Sequence, residues 1–152
     1  MDTVTYPDPR VAQLVQDHFV PLKVNVKQDP RLAEEYRVNW TPAVLIADEQ
    51  GKDHYRYEGY FAPEGFMAQL SLGLGRLWLD RRQLARARER FEEVSRPHAG
   101  SEAGAEALYW LGVVSYKESQ DPAQLRPSWQ KLVQEYPDSE WARRAQVPAR
   151  KQ

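Results

Sequence analysis

The sequence comprises 152 residues with a formal net charge of −1, and its 41% hydrophobic content is ordinary for a globular protein. Lys and Arg (21) nearly balance Asp and Glu (22), which disfavours a nucleic-acid-binding protein that depends on a large basic surface. Cysteine is absent, which excludes disulfides, thiolate nucleophiles and cysteine-ligated metals. No apolar run is long enough to span a bilayer. The opening residues lack the basic start and apolar stretch of a secretory signal, so the expected location is the cytoplasm.

Asp-Pro pairs mark three predicted helix starts. They occur at Asp8-Pro9, Asp29-Pro30 and Asp121-Pro122, each just before a segment with helical periodicity. An Asp side chain can accept hydrogen bonds from the free N–H groups of a first helical turn, and Pro has the backbone angle that the first position needs. The first of these helices is predicted to run to about Phe19, and the second ends near Val38.

Three segments in the first half of the chain are predicted strands. Residues from Val20 to Val26 alternate between apolar and polar side chains, which is typical of a half-buried strand. The run from Ala43 to Ala47 is apolar throughout and precedes a turn at Asp48–Gly51, as expected of a buried strand. Residues from His54 to Tyr60 alternate again and are predicted to pair with the preceding strand as a hairpin.

From Pro63 onward the apolar residues follow a helical period, and no further strand is predicted. Five helical segments are expected, at residues 66–78, 84–94, 107–115, 125–136 and 139–145. A linker of turn and small residues from Pro97 to Gly104 separates the second segment from the third. The change of period places a boundary between two regions near residues 61–70.

The order of strand, helix, Thr-Pro, buried strand, hairpin and closing helix resembles the second half of the thioredoxin fold. The resemblance runs through FVPLKVNV (19–26), WTPAVLI (40–46), DEQGK (48–52) and RYEGY (56–60). In that family the proline that matches Pro42 is cis and faces the redox dithiol across the substrate groove. The resemblance therefore implies a cis bond at Pro42 and a substrate or peptide groove at Trp40, Thr41 and Pro42. A trans proline that merely starts a strand is the alternative, because most X-Pro bonds are trans.

The chain departs from the thioredoxin pattern at its start. Thioredoxin-like proteins carry Cys-x-x-Cys at the start of a helix whose continuation corresponds to residues 1–19, so two strands, a helix and the dithiol are missing. Met1 is then either an internal methionine of a longer protein or the start of a domain that has lost its redox half. In the family, the missing strand lies between the strands that match Val20–Val26 and Ala43–Ala47. An apolar strand with an unpaired edge favours association, so we expect a homodimer through the exposed sheet edge.

The second half resembles a tetratricopeptide repeat. Leu74-Gly75, Trp78, Ala87 and Phe91 match its Leu-Gly pair, first aromatic, small residue and second-helix aromatic. A looser second copy contains Leu111-Gly112, Tyr116, Trp129 and Tyr136, and the two Leu-Gly pairs are 37 residues apart (112 − 75). That spacing slightly exceeds the usual repeat length of about 34 residues. An ordinary helical bundle is the alternative.

The predicted fold class is α/β, with a partial thioredoxin-like domain of three strands followed by an all-α tetratricopeptide-like helical hairpin region. The first is expected at residues 1–70 and the second at residues 63–148. Two repeats are fewer than the three or so that such helices need for independent stability. The helix at 63–80 is therefore expected to serve both regions and to make them one cooperative unit.

No catalytic constellation accompanies these features. His18, His54 and His98 have no partner at metal-ligand spacing and are expected at the surface or at a boundary, and neither a cofactor nor a metal is predicted. The leading hypothesis is a non-catalytic protein-interaction or scaffolding module whose partner is a protein or peptide, with no nucleic acid and no membrane. A thiol-disulfide oxidoreductase whose Cys-x-x-Cys lies upstream of Met1 is the alternative, and a structural fragment stable only as an oligomer is a third. Abundant Arg, Leu and Glu favour a bacterial source.

Overall fold

The computed structural model describes residues 1–96 and 101–146. The helices and strands are, in chain order, α1 Pro9–His18, α2 Pro30–Glu35, β1 Ala43–Ala47, β2 Asp53–Glu58, α3 Pro63–Asp80, α4 Leu84–Ser95, α5 Glu102–Ser119, a 3₁₀ turn Pro122–Leu125, α6 Arg126–Glu135 and α7 Glu140–Ala145. The predicted linker is shorter than expected, because Gly104 already lies in α5. Its residues 97–100, including His98, lie outside the described residues, as do the last two positions of the predicted helical region.

The Asp-Pro pairs cap helices as predicted. The Asp8 side chain accepts a hydrogen bond from the Arg10 N–H, and that of Asp29 accepts one from the Leu32 N–H. Asp121 does the same for the 3₁₀ turn, and in all three cases Pro occupies one of the first two positions. These helix starts could be predicted because each depends on contacts within a few residues.

The sheet has two strands, β1 and β2, which form an antiparallel hairpin. Ala43 lies opposite Glu58 and Ile46 opposite Tyr55, with an irregularity after Ile46. The hairpin packs on α3, where Gly73 allows close contact: a Cβ atom there would lie 1.9 Å from the Ile46 Cδ1. This glycine therefore sets how closely the sheet approaches the helix.

The prediction that Val20–Val26 is a third strand is wrong. The segment forms no strand, and residues 20–24 make no backbone–backbone hydrogen bond to any described residue. A strand exists only where a neighbour satisfies its N–H and C=O groups, and no strand in the described residues lies alongside. The alternating pattern does not by itself make a strand here, because residues 20–25 are all exposed and no described strand pairs with them.

The helical region is a succession of helices in which α3 packs on α4, α4 on α5, α5 on α6 and α6 on α7. Two glycines allow the close approaches. A Cβ atom at Gly75 would lie 2.5 Å from the Phe91 Cε1, and one at Gly112 would lie 2.6 Å from the Trp129 Cδ1. No helix in the described part of the chain is long and apolar enough to cross a membrane.

Helix α3 contributes to two hydrophobic cores. Phe66, Leu70 and Leu77 belong to a core with Val11 of α1 and Ile46 of β1. On its other side, α3 contributes to a larger core that continues through α4, α5, α6 and α7, with Ala68, Leu72 and Leu79 among its members. The same helix therefore contributes buried side chains to the cores of both regions.

His54 lies at the boundary between surface and interior, and two carboxylates that the sequence analysis did not name as its partners face its ring. Its side chain is only 3% exposed, with Nδ1 2.7 Å from the Asp80 Oδ2 and Nε2 2.8 Å from the Asp48 Oδ2. Because carboxylates face both ring nitrogens, both must donate, which requires the protonated ring. Burial lowers the pKa of His54, but the hydrogen bonds to Asp48 and Asp80 outweigh it and the pKa is raised.

Candidate functional site at the Trp40–Pro42 loop

The chain reaches the predicted groove residues through a tight reversal at the end of α2. The Arg37 N–H donates to the Glu34 carbonyl and the Val38 N–H donates to the Ala33 carbonyl, while Arg37 has a left-handed φ of 52°. This is the Schellman pattern of a helix end. It directs the residues after Val38 away from the helix and toward the start of β1.

The predicted site residues lie on the loop between this reversal and β1. The Thr41–Pro42 peptide bond is cis. The Pro42 carbonyl accepts a hydrogen bond of 2.8 Å from the Gly59 N–H, which continues the pairing of the hairpin beyond Ala43 and Glu58. Pro42 is thereby fixed to the sheet, whereas Trp40 and Thr41 extend into solvent.

A shallow pocket of about 240 Å³ lies beside this loop. We call it the Trp40 pocket, and its lining residues are Val26, Val38, Asn39, Trp40 and Thr41. Sequence reasoning had named Trp40 and Thr41 but missed the other three. Val38 and Asn39 could have been found as the residues that lead into the Thr-Pro loop, but Val26 is brought there only by the fold.

Several large apolar side chains are exposed in the first half of the chain, and Trp40 of the pocket is one of them. Val20 is 98% exposed, Leu22 80%, Trp40 68% and Tyr60 56%. We call residues 20–24 the exposed segment, and it leads through Asn25 to Val26 in the wall of the pocket. Val20 and Leu22 are two residues apart, and exposed apolar side chains grouped in this way mark an interaction surface more often than single ones do.

The chemistry available at the Trp40 pocket is that of binding. None of its five lining residues is ionisable, so the lining contains neither a general acid nor a general base. Asn39 and Thr41 offer hydrogen-bonding groups, and Trp40 offers a large apolar face. Among the described residues, no group of three or more His, Asp or Glu side chains is arranged to hold a metal ion.

Comparison with protein families supports the fold of the first half. Residues 1–73 match the model of a thioredoxin-like domain. Comparisons with curated proteins and with solved structures each gave no match. The matched range includes α1, α2, both strands and the first half of α3, and so contains the whole Trp40 pocket. Residues 1–73 of this chain are thus similar to a thioredoxin-like domain, and a mostly helical region follows them.

Proposed function

We propose that this chain is a non-catalytic protein-interaction module that binds an extended protein segment along residues 20–24 and in the Trp40 pocket. The observation that carries the proposal is the exposed segment. Its backbone forms no hydrogen bond to other backbone, and its Val20 and Leu22 side chains are largely exposed to solvent. Trp40, Thr41 and Pro42 form the second part of the same surface.

The physical basis is strand addition. An extended peptide laid beside residues 20–24 would satisfy their free N–H and C=O groups, and its side chains would cover the apolar ones. Burying a Val or Leu side chain contributes about 1.5–3 kcal/mol. Burial of two such side chains and Trp40, together with the backbone hydrogen bonds of the added strand, opposes the cost of ordering a peptide.

The partner is a protein or peptide, and a second copy of the chain is one such partner. Two exposed segments can pair with each other in antiparallel orientation, because both present the same row of apolar side chains. A homodimer through this edge is the form we propose for the isolated chain, and the cytoplasm is its proposed location.

The helical region is proposed to be tetratricopeptide-like and to act as a scaffold. Support comes from the glycines of the two Leu-Gly pairs. Gly75 packs against the ring of Phe91 in α4, and Gly112 packs against the ring of Trp129 in α6. The ring at Gly75 is 16 residues further along the chain (91 − 75), and the ring at Gly112 is 17 residues further (129 − 112). The two hairpins therefore repeat one packing arrangement.

Dithiol chemistry is not available to this sequence, because it contains no cysteine. Trp40, Thr41 and Pro42 are the part of an oxidoreductase groove that would position a peptide, not the part that would react with it. The proposed binding function therefore depends only on residues that this sequence contains, such as Trp40, Thr41 and Pro42.

The test compares binding of a displayed peptide library by the purified chain and by two variants, Leu22→Lys and Trp40→Ala. We expect selected peptides to be rich in alternating apolar residues and to lose at least tenfold in affinity with either variant. Val4→Ser is the matched control, since Val4 is also exposed but does not line the pocket. Equal binding by all four proteins would refute the proposed site.

Sedimentation equilibrium at tens of micromolar tests the homodimer separately. The expected result is a dimer for the unmodified chain and for Val4→Ser, and a monomer for Leu22→Lys. A monomer of the unmodified chain would remove the second copy from the list of partners but would leave the peptide experiment unaffected.

A further inference from the structure

The side chain of His54 joins the turn of the β-hairpin to the end of helix α3. Its Nε2 lies 2.8 Å from the Asp48 Oδ2 in the turn, and its Nδ1 lies 2.7 Å from the Asp80 Oδ2 at the last position of α3. Asp48 and His54 lie within the range that matches the thioredoxin-like model, whereas Asp80 lies beyond it. The contact between His54 and Asp80 therefore connects the matched range to the helical region.

The two carboxylates are held in different ways. The Asp48 side chain is 9% exposed, and its Oδ1 accepts hydrogen bonds of 3.0 Å from the backbone N–H groups of Gln50 and Lys52. The Asp80 side chain is 35% exposed, and its carboxylate has no further hydrogen-bond partner among the described residues. An anion at the C-terminal end of a helix also meets the negative end of the helix dipole. Asp80 therefore depends on His54 more than Asp48 does.

Loss of a proton from His54 removes one of its two hydrogen bonds, and no rotation of the ring restores it. A neutral imidazole has one N–H and one lone pair, and a carboxylate oxygen can only accept. The nitrogen that has lost its hydrogen then faces a carboxylate oxygen at 2.7 or 2.8 Å with no hydrogen between them. Turning the ring by 180° directs carbon atoms toward the carboxylates and adds no N–H donor. One of the two contacts must therefore open.

We propose that the contact between His54 and Asp80 is a pH-sensitive switch, which fastens the end of α3 to the hairpin turn only while the ring is protonated. The neutral ring keeps its hydrogen on Nε2 and stays bonded to Asp48, which two backbone N–H groups hold in place. Asp80, which is the more exposed of the two, turns into solvent. The switch is independent of the proposed binding function, because neither His54 nor Asp80 lines the Trp40 pocket.

The other charged and titratable groups beside these contacts are paired with one another. The pairs are Glu49 with Arg81, Asp53 with Arg56, and Tyr55 with Glu106. They come from the turn, β2, α5 and the residue after α3, and none of them includes the His54 ring. Burial lowers the pKa of His54, but its hydrogen bonds to Asp48 and Asp80 outweigh that effect, so the ring loses its proton above pH 6.5, its ordinary value.

Nitrogen-15 NMR of the histidine rings in the full chain tests the switch without any variant. The chemical shifts of the two ring nitrogens distinguish the protonated ring from each neutral tautomer. For His54 we expect hydrogens on both nitrogens at pH 6, and a hydrogen on Nε2 alone once the ring has lost its proton. A neutral ring with its hydrogen on Nδ1, a ring already neutral at pH 6, or a ring that keeps both hydrogens up to pH 10 would overturn the proposal.

Amide hydrogen exchange in the last turn of α3, residues 77–80, measures what the switch does to the helix end. After correction for intrinsic exchange, protection in the unmodified chain should fall above the midpoint of the His54 titration, by at most tenfold per pH unit. In Asp80→Asn the side-chain amide can accept from a protonated Nδ1 or donate to a bare one, so this fall should disappear. An equal fall in Asp80→Asn and the unmodified chain would contradict the role of Asp80.

Asp17→Asn is the matched control, because Asp17 is also an exposed aspartate near the C-terminal end of a helix, α1. It makes the same chemical change away from His54 and should keep the pH dependence of the unmodified chain at residues 77–80. Loss of that dependence in Asp17→Asn would show a general charge effect and would overturn the proposal.

Discussion

The segment between α1 and β1 is mostly exposed, whereas more than half of the residues of α3 are buried. No residue after Val11 and before Ile46 is buried, although that stretch contains α2 and the exposed segment. In α3, by contrast, ten of 18 residues are buried. Burial of apolar area is the main source of folding free energy, so the helical region and α3 must supply most of the stability. Within that stretch, residues 20–24 belong to neither hydrophobic core.

The largest expected effect tests this contrast directly. Phe91 is fully buried between α3 and α5, and Phe91→Ala should lower the free energy of unfolding by about 3–5 kcal/mol. Leu22→Ala removes a side chain from the exposed segment and should change it by less than about 0.5 kcal/mol. Urea unfolding followed by circular dichroism measures both. Similar losses for the two variants would show that the exposed segment is packed after all.

A smaller loss is expected from overpacking at Gly75. A Cβ atom at this position would meet three atoms of the Phe91 ring within 2.8 Å, and the Phe91 side chain is fully buried. Gly75→Ala should therefore cost about 1–3 kcal/mol in urea unfolding. The double variant with Phe91→Leu should recover part of the loss, because the smaller side chain leaves room for the methyl group. Strictly additive losses would argue against direct contact.

The free energy of unfolding should depend on pH through the hydrogen bonds of His54 to Asp48 and Asp80. Since its folded pKa is raised above the ordinary value of 6.5, the stabilisation is fully present below pH 6.5 and is lost as the pH rises through the folded pKa. His54→Gln should cost about 2 kcal/mol at pH 6 and clearly less at pH 9. Asp48, whose pKa is lowered mainly by its hydrogen bond to His54, adds a second loss at acid pH, where it is protonated. A cost that is equal at pH 6 and pH 9 would rule out a protonated His54.

The smallest effects come from two arginines with left-handed backbones. Arg37 ends α2 with φ 52° and Arg82 ends α3 with φ 58°, and both lie where glycine is usual. Arg82→Gly should raise the free energy of unfolding by about 0.5–1 kcal/mol. Arg37→Gly should raise it less, because α2 has no buried residue to connect it to the global unfolding transition. An equal gain at both positions would show that the two regions unfold together.

Much of this fold could be predicted because it depends on local signals. The caps at Asp8, Asp29 and Asp121 are set by neighbours two or three residues away, and the apolar run at Ala43–Ala47 is a strand as expected. The absence of a strand at residues 20–26 could not be predicted, because alternation shows which side chains would share a face and not whether a neighbouring strand exists.

The functional features that were missed depend on distant residues. His54 bonds to Asp80, 26 residues away, and Tyr55 meets Glu106, 51 residues away. No spacing rule within the sequence points to such pairs. Val26 enters the wall of the Trp40 pocket for the same reason, whereas Trp40 and Thr41 were found from the Thr-Pro motif.

The double role of α3 has a consequence for where this molecule can be divided. The thioredoxin-like match ends at residue 73, in the middle of a helix that continues to Asp80. A fragment that stopped there would lose Leu77 from its own core and would expose Leu72 to water. The matched range is thus shorter than the packed structure that contains it, and we expect an independently stable piece to extend at least to the end of that helix and to include residues that cover its second face.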